Sequence, residues 1–489
     1  MVFSCGACVG KIMAVPDVSF LEKELALGQK ALQKHDENAA AKLILQNQFG
    51  IRQALHRIKK EKKTKFPTET PKKGEFCGLS RPQILAETYL ETGDISRESF
   101  REFLSAYAEN KNLMAHEFAL LPCFLRLAGL KLLLEIMRKV ACPEKQTSEK
   151  ERILLWIRQE NSVKTVFSVF ALADELKNDL LWQCSKTAQL LMHDPSFMQL
   201  DSEQRLSLIF KLSEIAAKFG VKEYFAAQKL IELSRGSDVF SYVFGEKRDE
   251  WIKSFGKKPK AEAKREAYFF FTWILPLAVA VLNGNFWLIF PVFVLLRALA
   301  NSLFPVFCRA EKRMLPVLAE MPENERTLIT ISAMLKGNAA ELAEKLQLRY
   351  LANKHEGIAA ALLLDFAGKE DEKEAEKLFS IIAEMNAAEN GHPYYAFIRK
   401  KLPAKDGSSC AWERKRGAIL ELCALTLGKE TKSEFLYSAL PEGVKRLILL
   451  DEDTEPMPGS LEKLIRCAAH PLNRPVVENG KSICGRVLI

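Results

Sequence analysis

The stretch Val444-Lys-Arg-Leu-Ile-Leu-Leu-Asp-Glu-Asp-Thr454 decides the fold class of this chain. Leu447 to Leu450 form a short apolar run that stops abruptly at Asp451, Glu452, Asp453 and Thr454. Such a run reads as a buried strand that delivers carboxylates to the end of a sheet. In open α/β sheets, ligands bind beyond the carboxyl ends of the strands. An Asp-x-Asp pair placed there can grip a divalent cation, and the cation can grip a diphosphate. Mg²⁺ suits this role because it takes a carboxylate or two plus phosphate oxygens in preference to an all-protein cage. A calcium loop starting at Asp451 would put Glu462 at its end, but needs glycine where Pro456 stands. A phosphatase-type Asp-x-Asp-x-Thr needs threonine where Glu455 stands. A plain acidic turn after a strand stays open from the pattern alone.

The strand sits in a chain of 489 residues, enough for about three domains. Its composition is that of a globular protein, with 48% hydrophobic and 27% charged residues. The net charge of +9 is modest for this length and comes partly from local basic runs, so no nucleic-acid partner is expected. The 11 cysteines form no framework, and Cys5-Gly-Ala-Cys8 lacks the second pair that a zinc site needs. The first residues do not read as a secretory signal, since the apolar stretch is short, broken by Lys11 and without a basic leader.

Upstream, the pattern is helical. Leu21 to Leu55 is rich in Ala, Leu, Lys and Gln, all good helix formers. Lys59 to Gly74, with two prolines and many lysines, reads as a solvated basic linker. From Leu79 to Leu233 amphipathic helices follow one another. In Asp201–Gly220, Asp201 with Gln204 resembles a capping pair, and Leu208, Leu212, Ile215 and Phe219 share one face. Further helical runs are expected at Ser96–Ala108, Glu117–Arg138, Glu149–Trp156 and Val163–Met192. Phe118–Met137 is almost apolar enough for a membrane span, but Arg126, Lys131 and Glu135 argue for a buried helix instead.

The character changes at Lys257-Lys-Pro-Lys260. Tyr268 to Leu282, the turn Asn283-Gly-Asn285, and Phe286 to Phe307 are the most apolar part of the chain, flanked by Lys264 and Arg265 before and by Arg309, Lys312 and Arg313 after. This predicts a helical hairpin in a lipid bilayer with both ends on the cytoplasmic side. The first limb is short for a span, which needs about 20 residues. Beyond it the periodicity becomes mixed. Arg326–Leu335 reads as a strand, Asn338–Leu346 as a helix and Gln347–Ala352 as a second strand. Ile358–Phe366 is strand or short helix, and Glu372–Ala388 and Gly417–Leu427 are helices. Alternating strands and helices imply a largely parallel sheet.

Several blocks of this last third resemble the glycosyltransferase region of cyclic β-1,2-glucan synthases. They are Arg326-Thr327, Tyr350-Leu-Ala-Asn353, Leu362-Leu-Leu-Asp365-Phe366, Trp412-Glu-Arg-Lys-Arg-Gly417, Leu449-Leu-Asp-Glu-Asp-Thr454 and His470-Pro-Leu-Asn-Arg-Pro475. The helical half is similar too, at Arg81 to Ile95, Glu117 to Leu121 and Asp194 to Leu233. The resemblance implies a membrane-embedded, processive, inverting glucosyltransferase of the bacterial inner membrane. It would use UDP-glucose and extend a β-1,2-glucan acceptor, with its helical and transferase domains in the cytoplasm. It implies a multidomain α plus α/β architecture: a helical segment and basic linker at 1–76, an all-α domain at 77–256 and a membrane hairpin at 257–313. Residues 314–489 would be the donor-binding half of a GT-A, Rossmann-like domain. By the same likeness Asp451 and Asp453 hold Mg²⁺ or Mn²⁺ on the donor diphosphate, and Asp365 contacts uridine. Glu413, Arg414, Lys415 and Arg416 lie near the nucleotide, while His470 and Arg474 shape the wall after the metal site.

The blocks depart from the family at Ala411, Ala418 and Ser332-Ala333. The chain ends at Gly485–Ile489 within a strand-like run, and the general base is expected beyond Ile489, so no catalytic base is assigned. Two alternatives accompany this reading: a non-catalytic membrane scaffold with a degenerate transferase domain, and a cellulose-synthase-like enzyme, against which the Trp412–Gly417 block argues.

Overall fold

The computed structural model describes residues 8–35, 37–61, 64–71, 76–142, 148–176, 179–256, 268–307, 314–322, 326–367, 371–389, 391–403, 409–474, 476–478 and 481–484. Cys5, Lys257–Lys260, Lys264, Arg265, Arg309, Lys312, Arg313 and Gly485–Ile489 therefore lie outside the described residues. Two compact units emerge: Met1–Met198 with Glu203–Met314, and Gln199–Ser202 with Leu315–Ile489.

The first unit is helical. Its spine is the helix Ala115–Ala141, most of whose side chains are buried. The charges read as evidence against a membrane span are all satisfied within the protein. Arg126 donates to the Ala173 carbonyl at 2.7 Å and pairs with Asp174, Lys131 pairs with Glu87, and Glu135 with Lys139. The helix Glu149–Glu175 packs along the spine, and residues expected as one run to Met192 divide into Asp179–Cys184 and Lys186–Met192. Ser96 caps the helix Arg97–Asn110 by accepting the Ser99 N–H. The helices Ser19–Leu32, Ala39–Gln46 and Gln48–Lys60 account for the first helical stretch.

Two expectations fail in this unit. The basic linker is not a loose connector: β1 (Cys8–Ala14) pairs antiparallel with β2 (Lys65–Pro71). Phe66 and Thr68 are fully buried, and the prolines are tolerated because the ribbon has only two strands. The membrane hairpin is the larger correction. Among the described residues no helix is long and apolar enough to cross a membrane. The first limb breaks into a π-helical turn, Phe270–Ile274, and the short helix Leu275–Leu282. The second opens with a 3₁₀ turn and continues as Ile289–Phe307, whose apolar run is interrupted by Arg297, Asn301 and Ser302. An eight-residue helix rises only about 12 Å, against about 30 Å of hydrocarbon. The limbs do fold back on each other, with Tyr268 Oη donating to Asn301 Oδ1 at 2.9 Å and Trp273 packing on Phe293.

The second unit is built on a five-stranded sheet with the order β8 (Phe435–Tyr437), β5 (Tyr394–Arg399), β4 (Ile358–Phe366), β3 (Arg326–Leu335), β9 (Val444–Asp451). Short ribbons pair β6 (Leu402–Pro403) with β7 (Ser409–Cys410) and β10 (Val476–Glu478) with β11 (Lys481–Cys484). In the main sheet β5, β4, β3 and β9 are parallel and β8 is antiparallel. The helices Ala339–Leu351, Glu372–Ala388 and Ser460–Ala469 cover one face of the sheet, and Arg414–Thr426 covers the other. The chain starts in β3, steps outward through β4 to β5, and returns to place β9 on the opposite side of β3. That reversal creates a switch point between β3 and β9, the place where doubly wound sheets open a crevice at their carboxyl ends. The stretch Gln199–Ser202 belongs to this unit: Leu200 bridges to Leu318, and Asp201, read from sequence as half of a capping pair, accepts from Arg466 at 2.9 Å.

Two strand expectations change. Gln347–Ala352 is not a strand, because the helix Ala339–Leu351 runs through it and buries Leu342, Leu346, Arg349 and Tyr350 at helical spacing. The strand ending at Asp451 exists but is not central. Among the described residues β9 pairs only with β3, so Leu450 is buried while Leu449 is exposed.

Candidate functional site

β4 is buried along its whole length, which is why it reads as an unbroken apolar run, and it carries one acid, Asp365, at its next-to-last position. The parallel register sets Asp365 opposite Arg399, the last residue of β5. Arg399 grips both carboxylate oxygens, Nε to Oδ1 at 2.8 Å and Nη2 to Oδ2 at 2.9 Å. Its Nη1 also donates to Glu421 Oε2 at 3.2 Å. Burial by itself would lower the pKa of this guanidinium, but Asp365 and Glu421 hold it above its ordinary value. Glu421 shows the converse balance: burial pushes its carboxyl up, yet the N–H and hydroxyl of Ser433 together with Arg399 bring it below the ordinary range.

The remaining donors of Arg399 leave this ion cluster. Nη1 reaches the Trp412 carbonyl at 2.8 Å and Nη2 the Arg414 carbonyl at 2.9 Å. Those carbonyls belong to the turn that begins the helix Arg414–Thr426. In this turn Glu413 and Arg414 have φ of 47° and 45°, a left-handed conformation that costs a non-glycine residue on the order of 1–2 kcal/mol. Gly417 is required for a different reason: a Cβ there would overlap the Trp412 carbonyl oxygen. The Trp412 ring lies beneath Lys432, whose Nζ is 3.9 Å from its centroid.

The turn presents Glu413, Arg414, Lys415 and Arg416 to solvent. Lys415 pairs with Asp451 at the end of β9. Arg416 approaches Glu413 at 3.6 Å in an exposed pair of little energetic consequence. The acidic turn after β9 is braced by the helix Ala339–Leu351. Arg349 donates to the Thr454 carbonyl at 2.8 Å and to the Glu452 carbonyl, and Lys345 pairs with Glu452 at 2.8 Å. The Thr454 N–H closes the turn on the Asp451 carbonyl at 3.0 Å, leaving the side chains of Asp451 and Asp453 exposed.

The contacts thus join Lys415 to Asp451, and Asp365 to the backbone of the Trp412–Arg416 turn through Arg399. Asp365, expected at uridine, has both oxygens engaged by Arg399. His470 and Arg474 serve the local chain. His470 is buried and accepts the Leu472 N–H on Nδ1, while Arg474 donates to the Ala469 carbonyl. Between them Asn473 ties this turn to the Pro316 and Cys467 carbonyls at 2.8 and 2.6 Å. The His470–Arg474 block thus forms a corner after the helix Ser460–Ala469.

Among the described residues no group of three or more His, Cys, Asp or Glu side chains could cage a metal ion. Asp451 and Asp453 are a two-carboxylate donor set. Such a set fits Mg²⁺ or Mn²⁺ that takes its other ligands from phosphate and water. Asp451 already attracts a cation in the form of Lys415.

Arg399, Glu421, Arg349 and Lys345 escaped the sequence reading. A signal existed for the first. Tyr394-Tyr-Ala-Phe-Ile-Arg399 is an aromatic and β-branched run ending in a charge, the same shape as Leu447–Asp451.

No family model matches the chain. Over 194 residues it is 31% identical to the cyclic beta-(1,2)-glucan synthase NdvB of Rhizobium meliloti (strain 1021). The match takes in 37% of this chain and 7% of that protein. The similarity read from the sequence blocks is therefore present at the level of aligned sequence.

Proposed function

We propose that the sheet unit is the donor-binding part of a glucosyltransferase that takes UDP-glucose and builds β-1,2-linked glucan. The observation that carries this reading is the meeting of Lys415 with Asp451 where β9 ends, beside the switch point of the sheet. An acid pair and a cationic helix start converge there, the complementary charges that a metal-bound diphosphate requires. The similarity to a protein named cyclic beta-(1,2)-glucan synthase supplies the glucan and its linkage.

In this reading Asp451 and Asp453 hold Mg²⁺ or Mn²⁺, and Arg414, Lys415 and Arg416 bind and orient the phosphates. The metal, when bound, neutralises charge that gathers on the departing diphosphate. Lys415, paired here with Asp451, would turn to the phosphates of a bound nucleotide, and Asp451 would then be one of the two residues that hold the metal. A β-linkage from an α-linked donor requires inversion and a base on the acceptor side. This unit provides the donor side, placed with the cytoplasmic nucleotide pool.

Calorimetric titration of the 489-residue chain with UDP in the presence of Mn²⁺ tests the reading. Asp451→Ala and Asp453→Ala are each expected to weaken binding about tenfold or more, the loss of one charged contact. Undiminished, metal-dependent UDP binding in the double variant would remove both aspartates from the site.

A further inference from the structure

We infer that Arg399 is a positioning residue for the nucleotide phosphates: from inside the sheet it holds the Trp412–Arg416 turn in the left-handed form that brings Lys415 to Asp451. The inference rests on the donor-site reading above and assigns a role to a residue that never touches the nucleotide.

The geometry separates this role from that of an ordinary core ion pair. The Arg399 side chain is wholly buried. Neutralising Asp365 and Glu421 occupies Nε and part of the two terminal nitrogens. The same two nitrogens also donate to the carbonyls of Trp412 and Arg414, which flank Glu413 and lie in the strained segment. Left-handed geometry at consecutive non-glycine residues persists only where the surroundings over-determine it. Here the surroundings are specific. Arg399 draws the two carbonyls inward, and the missing side chain of Gly417 leaves room for the Trp412 carbonyl to arrive. With the carbonyls pointing into the core, the side chains of Arg414, Lys415 and Arg416 are exposed. Lysine could not do the same. It is a point charge with three donors and lacks the planar fork that serves two carboxylates and two carbonyls together.

The test uses four forms of the full chain: wild type, Arg399→Lys, Gly417→Ala and the variant with both changes. Arg399→Lys keeps a cation between Asp365 and Glu421 but gives up the fork. Gly417→Ala leaves the ion cluster intact and displaces the Trp412 carbonyl from the other side. Each form is read by melting temperature, by the rate at which trypsin cuts after Arg414, Lys415 and Arg416, and by UDP affinity with Mn²⁺. The expected result is faster cutting at this block in both variants. UDP affinity falls roughly tenfold, the worth of a charge-assisted contact, while melting of Arg399→Lys stays close to wild type. The double variant binds UDP no worse than either single one, because both changes release one turn. If Arg399 served packing alone, Arg399→Lys would lower the melting temperature, and UDP affinity would fall only in step with that loss. Wild-type cutting rates in Gly417→Ala, or in a folded Arg399→Lys, would overturn the inference. Faster cutting in a chain whose wild type shows no UDP binding would sink the donor reading alone and leave the hold on the turn standing.

Discussion

Each unit of this protein buries an arginine against carboxylates, and the two use it differently. In the helical unit Arg81 grips Glu117 through Nε at 2.9 Å and Nη2 at 2.6 Å. Glu117 also accepts the Thr68 hydroxyl at 2.6 Å and the Met114 N–H at 2.7 Å. This network joins β2 to the start of the helix Ala115–Ala141, and Arg81 Nη1 also reaches Glu69 of β2 at 3.3 Å. In the sheet unit Arg399 makes the same bidentate grip on Asp365, then spends its other donors on the backbone of an exposed turn. Buried charge costs desolvation in both places. In the first the return is a fixed junction, and in the second it is a fixed surface.

The comparison can be broken most forcefully at Arg81. Arg81→Met leaves the fully buried Glu117 without its guanidinium partner, and the helical unit should lose roughly 3–5 kcal/mol in chemical denaturation. Trypsin cutting at Arg414–Arg416 should stay at the wild-type rate; a change there would mean that the two arginines are not independent.

Glu223 sharpens the contrast by showing a buried acid beside the same junction. It accepts the Ala115 N–H at 3.1 Å, one residue along from the Met114 N–H held by Glu117. Burial pushes its carboxyl up to about 7, with the Ser213 and Thr187 hydroxyls and the Ala115 N–H pulling the other way. The folded form therefore keeps its proton at pH values where the unfolded chain has lost it. Stability from this group is full below the ordinary glutamate pKa of about 4.3, falls as pH rises towards 7, and is level above that. Glu223→Gln keeps the acceptor for Ala115 and removes the titration. At pH 8 it should stabilise the helical unit by on the order of 3 kcal/mol, and at pH 4 by little, as read from melting curves at the two pH values. An equal effect at both would show that folding leaves the proton affinity of Glu223 unchanged.

The smallest effect is expected at Lys432, which covers the Trp412 ring from outside the turn that Arg399 holds from inside. Lys432 is exposed, so Lys432→Met should cost only about 0.5–1 kcal/mol and barely alter trypsin cutting at Arg414–Arg416. A large rise in cutting would move control of the turn from the core to the surface.

Much of the sheet unit was legible because its elements state their period plainly. Arg326–Leu335 is a β-branched run, Leu447–Asp451 an apolar run with an abrupt charged end, and Glu372–Ala388 a clean amphipathic helix. Gln347–Ala352 misled because Arg-Tyr-Leu suits a strand locally, whereas the apolar stripe from Leu342 to Tyr350 decides the matter through packing. The hairpin misled because total apolarity was read without continuity: a π-helical turn and a 3₁₀ turn cut the helices short, and no single sequence position announces them. Of the site, the acid pair and the basic block were visible as motifs. Arg399, Glu421 and Arg349 were not, since their roles come from strand register and helix placement across long separations. Asp365 was noticed as the acid at a strand's end, but the arginine that grips it was not, because it lies 34 residues away on a strand that went unread.

The brace on the acidic turn carries a consequence for biogenesis. Arg349 meets the Thr454 carbonyl across 105 positions of sequence, and β3 cannot gain β9 as a neighbour until that whole interval has been synthesised. Pairings of this span are slow steps in assembly. The helix with the arginine is thus made long before the loop it will clamp, and Asp451 and Asp453 are fixed in place only once β9 has docked beside β3.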